Sequence, residues 1–180
     1  SSWSSEFVGI PGKSRWTGQG THTAVAYDNI SGKVHTCFFD HANGTLKYAV
    51  RDGDNWERAA IDSAGNVGQY TSLKVESGSL YDAVVHASYF DLTNGRLKYA
   101  YRDGSNWTYE VIDNTAALTG KFSSLDLDSA GNPHIAYYNQ TDGELMHMWE
   151  NAGWNRKTVD DGGGNNVEQY ASIKVNRSND

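Results

Sequence analysis

Three histidines, His35, His86 and His134, sit at or near the start of aromatic-rich segments reading "VHTCFFD", "VHASYFD" and "PHIAYYN". Imidazole is the commonest base and metal ligand near neutral pH, so a recurring histidine raises the question of catalysis or metal binding. The intervals of 51 and 48 residues put one histidine in each copy of a repeat. That spacing spreads them through a structure instead of gathering them at one centre, and favours hydrogen bonding within each copy. Arg51 and Arg102 recur beside Tyr48 and Tyr99, and clustered guanidinium groups would suit a carboxylated sugar. The third copy has Glu150 at that place, however, and each arginine precedes a hairpin aspartate, which favours repeated ion pairs. Acid–base chemistry needs two carboxylates facing each other across a pocket, whereas Asp28, Asp52, Asp103 and Asp128 fall where turns are made. No catalytic set, metal set or cofactor fingerprint emerges. Cys37 is the only cysteine, and the glycine run "DGGGNN" at 161–166 has neither the Lys-Ser/Thr nor the helix of a phosphate loop.

The more informative residues are those that differ between copies. "DHANGT" (40–45), "DLTNGR" (91–96) and "NQTDGE" (139–144) occupy equivalent connections, and Tyr70, Phe122 and Tyr170 precede equivalent strands. Together they nominate Asp40, His41, Asn43, Asp91, Asn94, Arg96, Asn139 and Asp142 as a polar rim beside an aromatic platform of Tyr70, Phe122 and Tyr170. Such a surface suits a sugar, which offers hydroxyls at its edge and apolar C–H groups on its face. The competing reading is that the aromatic residues pack between repeats.

These residues need elements to hold them. Leu46, Leu97 and Leu145 recur at 51 and 48 residues, and Trp56, Trp107 and Trp154 at 51 and 47. Within each unit, apolar and polar residues alternate at period two over four short stretches, separated by turn residues such as the Asp-Gly of "RDGDNW" and "RDGSNW". Units of this length with four strands predict an all-β fold, a β-propeller segment of four-stranded antiparallel blades. The blades fall at about 23–62, 71–113 and 122–160 of one domain over 1–180, with an outer strand at 3–10 and an inner strand at 171–176. This amounts to about three and a half blades, fewer than a closed ring of four to eight, so a second polypeptide or fragment is expected to complete it. A net charge of −7 argues against nucleic acid, and no apolar run is long enough for a membrane span.

The segments "YTSLKVES", "VHASYFD", "GRLKYAYRDGSNW" and "SSLDLDSAGNPHIAYYN" resemble blades of secreted bacterial propellers in the sialidase-like and lectin-like group. The hairpin "RDGSNW" is one residue short of the S-x-D-x-G-x-x-W box of sialidase blades. The resemblance therefore implies a secreted, extracellular, glycan-facing propeller without sialidase chemistry. It leads to a lectin-like module that binds a glycan or polysaccharide through the loop face and the grooves between blades. The alternatives are a polysaccharide lyase or glycoside hydrolase completed by a second chain, and a structural or protein-interaction propeller.

Overall fold

Period-two alternation makes strands, and the Asp-Gly pairs reverse them, so each repeat folds into one antiparallel sheet. A computed structural model describes residues 22–76, 83–104, 106–115, 117–165 and 169–176; the outer strand expected over 3–10 lies outside them. In the first sheet β1 (Thr23–Tyr27), β2 (Val34–Asp40), β3 (Thr45–Asp52) and β4 (Asn55–Asp62) pair in chain order. The second contains β5 (Val67–Glu76), β6 (Val84–Asp91), β7 (Arg96–Asp103) and β8 (Asn106–Asp113), and the third β9 (Thr119–Leu127), β10 (Pro133–Asn139), β11 (Glu144–Glu150) and β12 (Trp154–Asp160). The first and second hairpins turn at Gly53 and Gly104, and the third at Ala152-Gly153. A bulge recurs at one place in each sheet, after Leu46, Leu97 and Leu145.

Apolar faces join the sheets. Cys37, Leu46, Tyr48, Val50 and Ile61 of the first pack against Val67, Leu73, Val85, Ala87, Tyr89 and Ala100 of the second. Leu97 and Tyr99 then meet Leu125, Ile135, Tyr137, Met146 and Met148 of the third. The edges that carry β5 and β9 are bridged by side chains. Ser72 Oγ accepts from Leu125 N at 3.1 Å, and Ser123 Oγ donates to Tyr70 O at 2.8 Å. Residues 171–176, expected as an inner strand, follow the same pattern without a backbone ladder. There Ile173 N donates to Ser124 Oγ at 3.2 Å and Val175 N to Asp126 Oδ2 at 2.9 Å. A hydroxyl or carboxylate spans the gap between two sheet edges where two backbones cannot meet.

Two glycines let an inner strand cross closely over the third strand of the preceding sheet. Gly68 (φ +114°) crosses β3, where a Cβ would lie 2.8 Å from the Leu46 Cβ. Gly120 (φ +109°) crosses β7, where a Cβ would lie 2.6 Å from the Leu97 Cα. Gly120→Ala combines left-handed strain with overlap against a backbone atom, so it should destabilise by about 2–4 kcal/mol. Gly104→Ala has positive φ (+71°) but nothing near its Cβ, and should cost only about 1 kcal/mol. Urea unfolding midpoints compare the two; equal losses would mean that the β7–β9 contact yields.

Candidate functional site

The crossing glycines are followed by register slips. β5 shifts against β6 between Val67 and Ser72, and β9 against β10 between Ala136 and Asn139. At these slips Tyr70 takes φ +53° and Phe122 φ +54°. A bulky aromatic residue seldom enters that region, and holding one there costs about 1–3 kcal/mol. What the strain achieves is contact between rings from successive sheets. Ring centroids lie 4.5 Å apart for His22 and Tyr70, 4.4 Å for Tyr70 and Phe122, and 4.8 Å for Phe122 and Tyr170, all tilted by 55–57°. The four rings form an arc backed by Phe39, Phe90 and Tyr138. Tyr170 ends the arc and is 80% exposed. Beside Phe122, Lys121 lies 5.6 Å from the Phe90 ring centroid and donates to Gln140 Oε1 at 2.5 Å.

Most of the polar residues nominated from sequence close their own turns. Asp40 is buried and accepts from Asn43 Nδ2 at 2.7 Å and Lys47 Nζ at 2.8 Å. Burial opposes its ionisation, but Lys47 and Asn43 outweigh burial and hold the carboxyl below its usual range. Asp91, also buried, accepts from Asn94 N at 3.1 Å and Asn94 Nδ2 at 2.8 Å. In the third copy the roles exchange, and buried Asn139 donates to Asp142 Oδ2 at 2.8 Å. Arg96 donates to the Asn114 carbonyl at 2.7 Å, and the exposed His41 ring stands edge-on to Phe39 at 5.8 Å. Of the residues expected from sequence, the structure brings Tyr70, Phe122 and Tyr170 into one row of ring contacts, to which it adds His22, with Lys121 and Gln140 beside it. His22 was legible, since it precedes β1 by the same offset as Tyr170 precedes its own segment.

The repeated histidines and arginines hold the seams between and within sheets. His35 Nδ1 meets Tyr48 OH at 2.6 Å and His86 Nδ1 meets Tyr99 OH at 2.5 Å. Those tyrosines receive the next sheet's tryptophan edge-on, Trp107 on Tyr48 at 5.1 Å and Trp154 on Tyr99 at 5.0 Å. The third copy replaces tyrosine with His147, whose Nε2 lies 3.1 Å from His134 Nδ1 and whose ring stacks on Trp149 at 5.0 Å. Arg51 pairs with Asp54 at 3.6 Å, but Arg102 departs from the expected ion pair and lies over the Tyr48 ring at 5.5 Å. At the outer end Asp62 accepts from Tyr89 OH at 2.8 Å and pairs with buried Lys98. Asp113 accepts from Tyr137 OH at 2.6 Å and Thr119 Oγ1 at 2.9 Å. Among the described residues no three His, Cys, Asp or Glu converge on a metal position, and no helix is long and apolar enough to cross a membrane.

No family model and no curated protein matches the chain. Solved structures do. A triple arginine-to-alanine mutant of AofleA from Arthrobotrys oligospora superposes with a TM-score of 0.60 at 14% identity, over 82% of this chain and 43% of that one. A fucose lectin from Kordia zhangzhouensis in complex with methyl-fucoside gives 0.52 at 16% identity, over 75% and 96%. An α-L-arabinofuranosidase from Fusarium graminearum with an iminosugar inhibitor gives 0.53 at 15% identity, over 81% and 50%. The fold is that of a β-propeller. The three sheets are its blades, and the chain spans less than half the length of AofleA and half that of the arabinofuranosidase.

Two outcomes follow from the seams. Burial lowers His35 and His86 from 6.5 to about 4. The unfolded chain therefore takes up protons first, and stability falls as pH drops from about 6.5 towards 4, by about 3 kcal/mol per histidine. Urea unfolding at pH 7 and pH 4.5 measures this; equal midpoints would refute it. Secondly, Trp154 Nε1 donates to Glu110 at 3.0 Å, whereas Trp107 Nε1 is buried without a partner among the described residues and Ala59 holds the place of Glu110. Ala59→Glu should supply the missing acceptor and raise stability by about 1 kcal/mol, while Glu110→Ala should lower it by a similar amount. Thermal midpoints of the two variants moving the same way would overturn the account.

Proposed function

We propose that this propeller segment is a carbohydrate-binding module whose ligand lies along the aromatic arc, with Tyr170 as its open platform. The observation that carries the reading is the strain, because Tyr70 and Phe122 are held at φ +53° and +54° where ordinary packing would use glycine. An outlier maintained at equivalent places in two blades points to a surface shaped for contact. A pyranose presents an apolar face and a hydroxyl edge. Tyr170 offers the ring, Lys121 and Gln140 offer polar groups beside the neighbouring Phe122, and His41 lies against Phe39 at the other end of the arc. The pairs Asp40–Asn43, Asp91–Asn94 and Asn139–Asp142 act by fixing the rim's shape. Similarity to a fucose lectin in complex with methyl-fucoside supports a sugar ligand and makes fucosides the first probes. Binding is favoured over glycoside cleavage because the buried seam carboxylates Asp62 and Asp113 are engaged by Lys98, Tyr89, Tyr137 and Thr119.

We also read the module as secreted and as part of a larger ring. On β1, Val25 is 70% exposed and Tyr27 is 64% exposed, whereas Leu73 at the place of Val25 in the second blade is 4% exposed. A further blade, supplied by a second polypeptide or fragment, would cover that face.

A glycan array including fucosides tests the function. Tyr170→Ala should weaken binding at least about tenfold, near 1.4 kcal/mol, with the thermal midpoint moving by no more than a few degrees. An array without any bound glycan would leave a protein-interaction scaffold. Native mass spectrometry tests the ring, with a particle heavier than the 19.8 kDa of one chain expected; a stable, cooperatively unfolding monomer would exclude the added blade.

A further inference from the structure

Four residues beyond each member of the aromatic arc, the same register is occupied by Ala26, Lys74, Asp126 and Lys174. At about 3.3 Å per residue this row lies roughly 13 Å further along the strands, away from the arc. Asp126 is fully buried, and two ammonium groups converge on it. Lys74 Nζ lies 3.2 Å from Oδ1 and Lys174 Nζ 3.1 Å from Oδ2, and Oδ2 also accepts from Val175 N at 2.9 Å. One ammonium neutralises one carboxylate. The second brings a like charge close to the first and leaves the trio with a net positive charge, in a chain whose net charge is −7. Burial opposes ionisation of Asp126, but Val175 N–H and the two lysines overcome it and hold the carboxyl at about 2, so Asp126 stays ionised across the neutral range.

These groups open on a cavity of about 540 Å3 lined by Lys74, Asp126, Lys174, Val175 and Asn176. Each ammonium has three N–H donors, and among the described residues each is shown in an ion pair only with Asp126. The geometry points to an oxyanion site in this cavity, in which a carboxylate or sulfate group bridges Lys74 and Lys174 opposite Asp126. Such a group satisfies donors that Asp126 leaves over and offsets the surplus charge with charge-assisted hydrogen bonds. The site is separate from the arc and does not depend on the sugar reading.

Calorimetric titration of the intact protein with sodium sulfate, against sodium chloride at matched ionic strength, tests it. Saturable binding with a Kd of order 1 mM is expected. Lys174 is 77% exposed along its side chain, so Lys174→Met should leave the fold intact by circular dichroism and weaken sulfate at least about tenfold. Lys174→Arg should keep most of the affinity, and Lys157→Met, on β12 at the far edge of the third sheet from β9, should change nothing. Glucuronate titrated against glucose separates the sources of the group: glucuronate binding more tightly than sulfate assigns an acidic saccharide, and sulfate alone assigns a free inorganic oxyanion. An unsaturable sulfate response, or one that Lys174→Met leaves unchanged, overturns the site.

Discussion

The structure depends on one steric constraint, the absence of a side chain where each inner strand passes over the third strand of the blade before it. At Gly68 and Gly120 the backbones are so close that a single carbon would strike Leu46 or Leu97. That closeness buries the two leucines completely and sets the angle at which successive sheets meet. It also forces the register slip just downstream, because a strand bent over its neighbour cannot stay in step with its own sheet. The positive φ of Tyr70 and Phe122 is absorbed at that slip. Core packing and the candidate binding surface are therefore two results of the same crossing.

Polar seams then fix what apolar packing leaves loose. A hydrophobic face tolerates sliding, but the Tyr89 hydroxyl and Lys98 ammonium aimed at one carboxylate on the preceding blade do not. Burying such groups yields little net stability and strongly disfavours any arrangement that leaves one of them unpaired. Rigid seams matter for an aromatic surface assembled from several blades, since a shift of one blade would separate rings now 4.4–4.8 Å apart.

Much of this was legible in the sequence, and the part that was not has identifiable physical causes. The period announced itself through Leu46, Trp56 and their copies, because a repeat must refill the same buried positions each time. Strand alternation and the Asp-Gly hairpins followed from the same logic. The role of Asp40, Asp91 and Asn139 was hidden because the residues that cap a tight turn on themselves are the same types that reach out to a ligand. Backbone strain at Tyr70 and Phe122 leaves no mark in composition, although a glycine two positions earlier in "VGQY" and "LTGKF" was a usable hint. Arg102 was misjudged because a guanidinium can satisfy an aromatic face as readily as a carboxylate, and only the neighbouring blade decides which.

The seams are alike in plan and different in detail, and that difference has a topological consequence. Identical wedges arranged in a circle could be assembled in any order, and a strand could join the wrong neighbour without a local penalty. Here the first junction carries Arg102 and a donor-only Trp107, the second carries Glu110 and Glu150, and the third blade offers an imidazole where its predecessors offer a phenol. Each wedge thus recognises one successor. The departures from perfect repetition act as addresses, giving a nearly periodic chain a fixed order of blades.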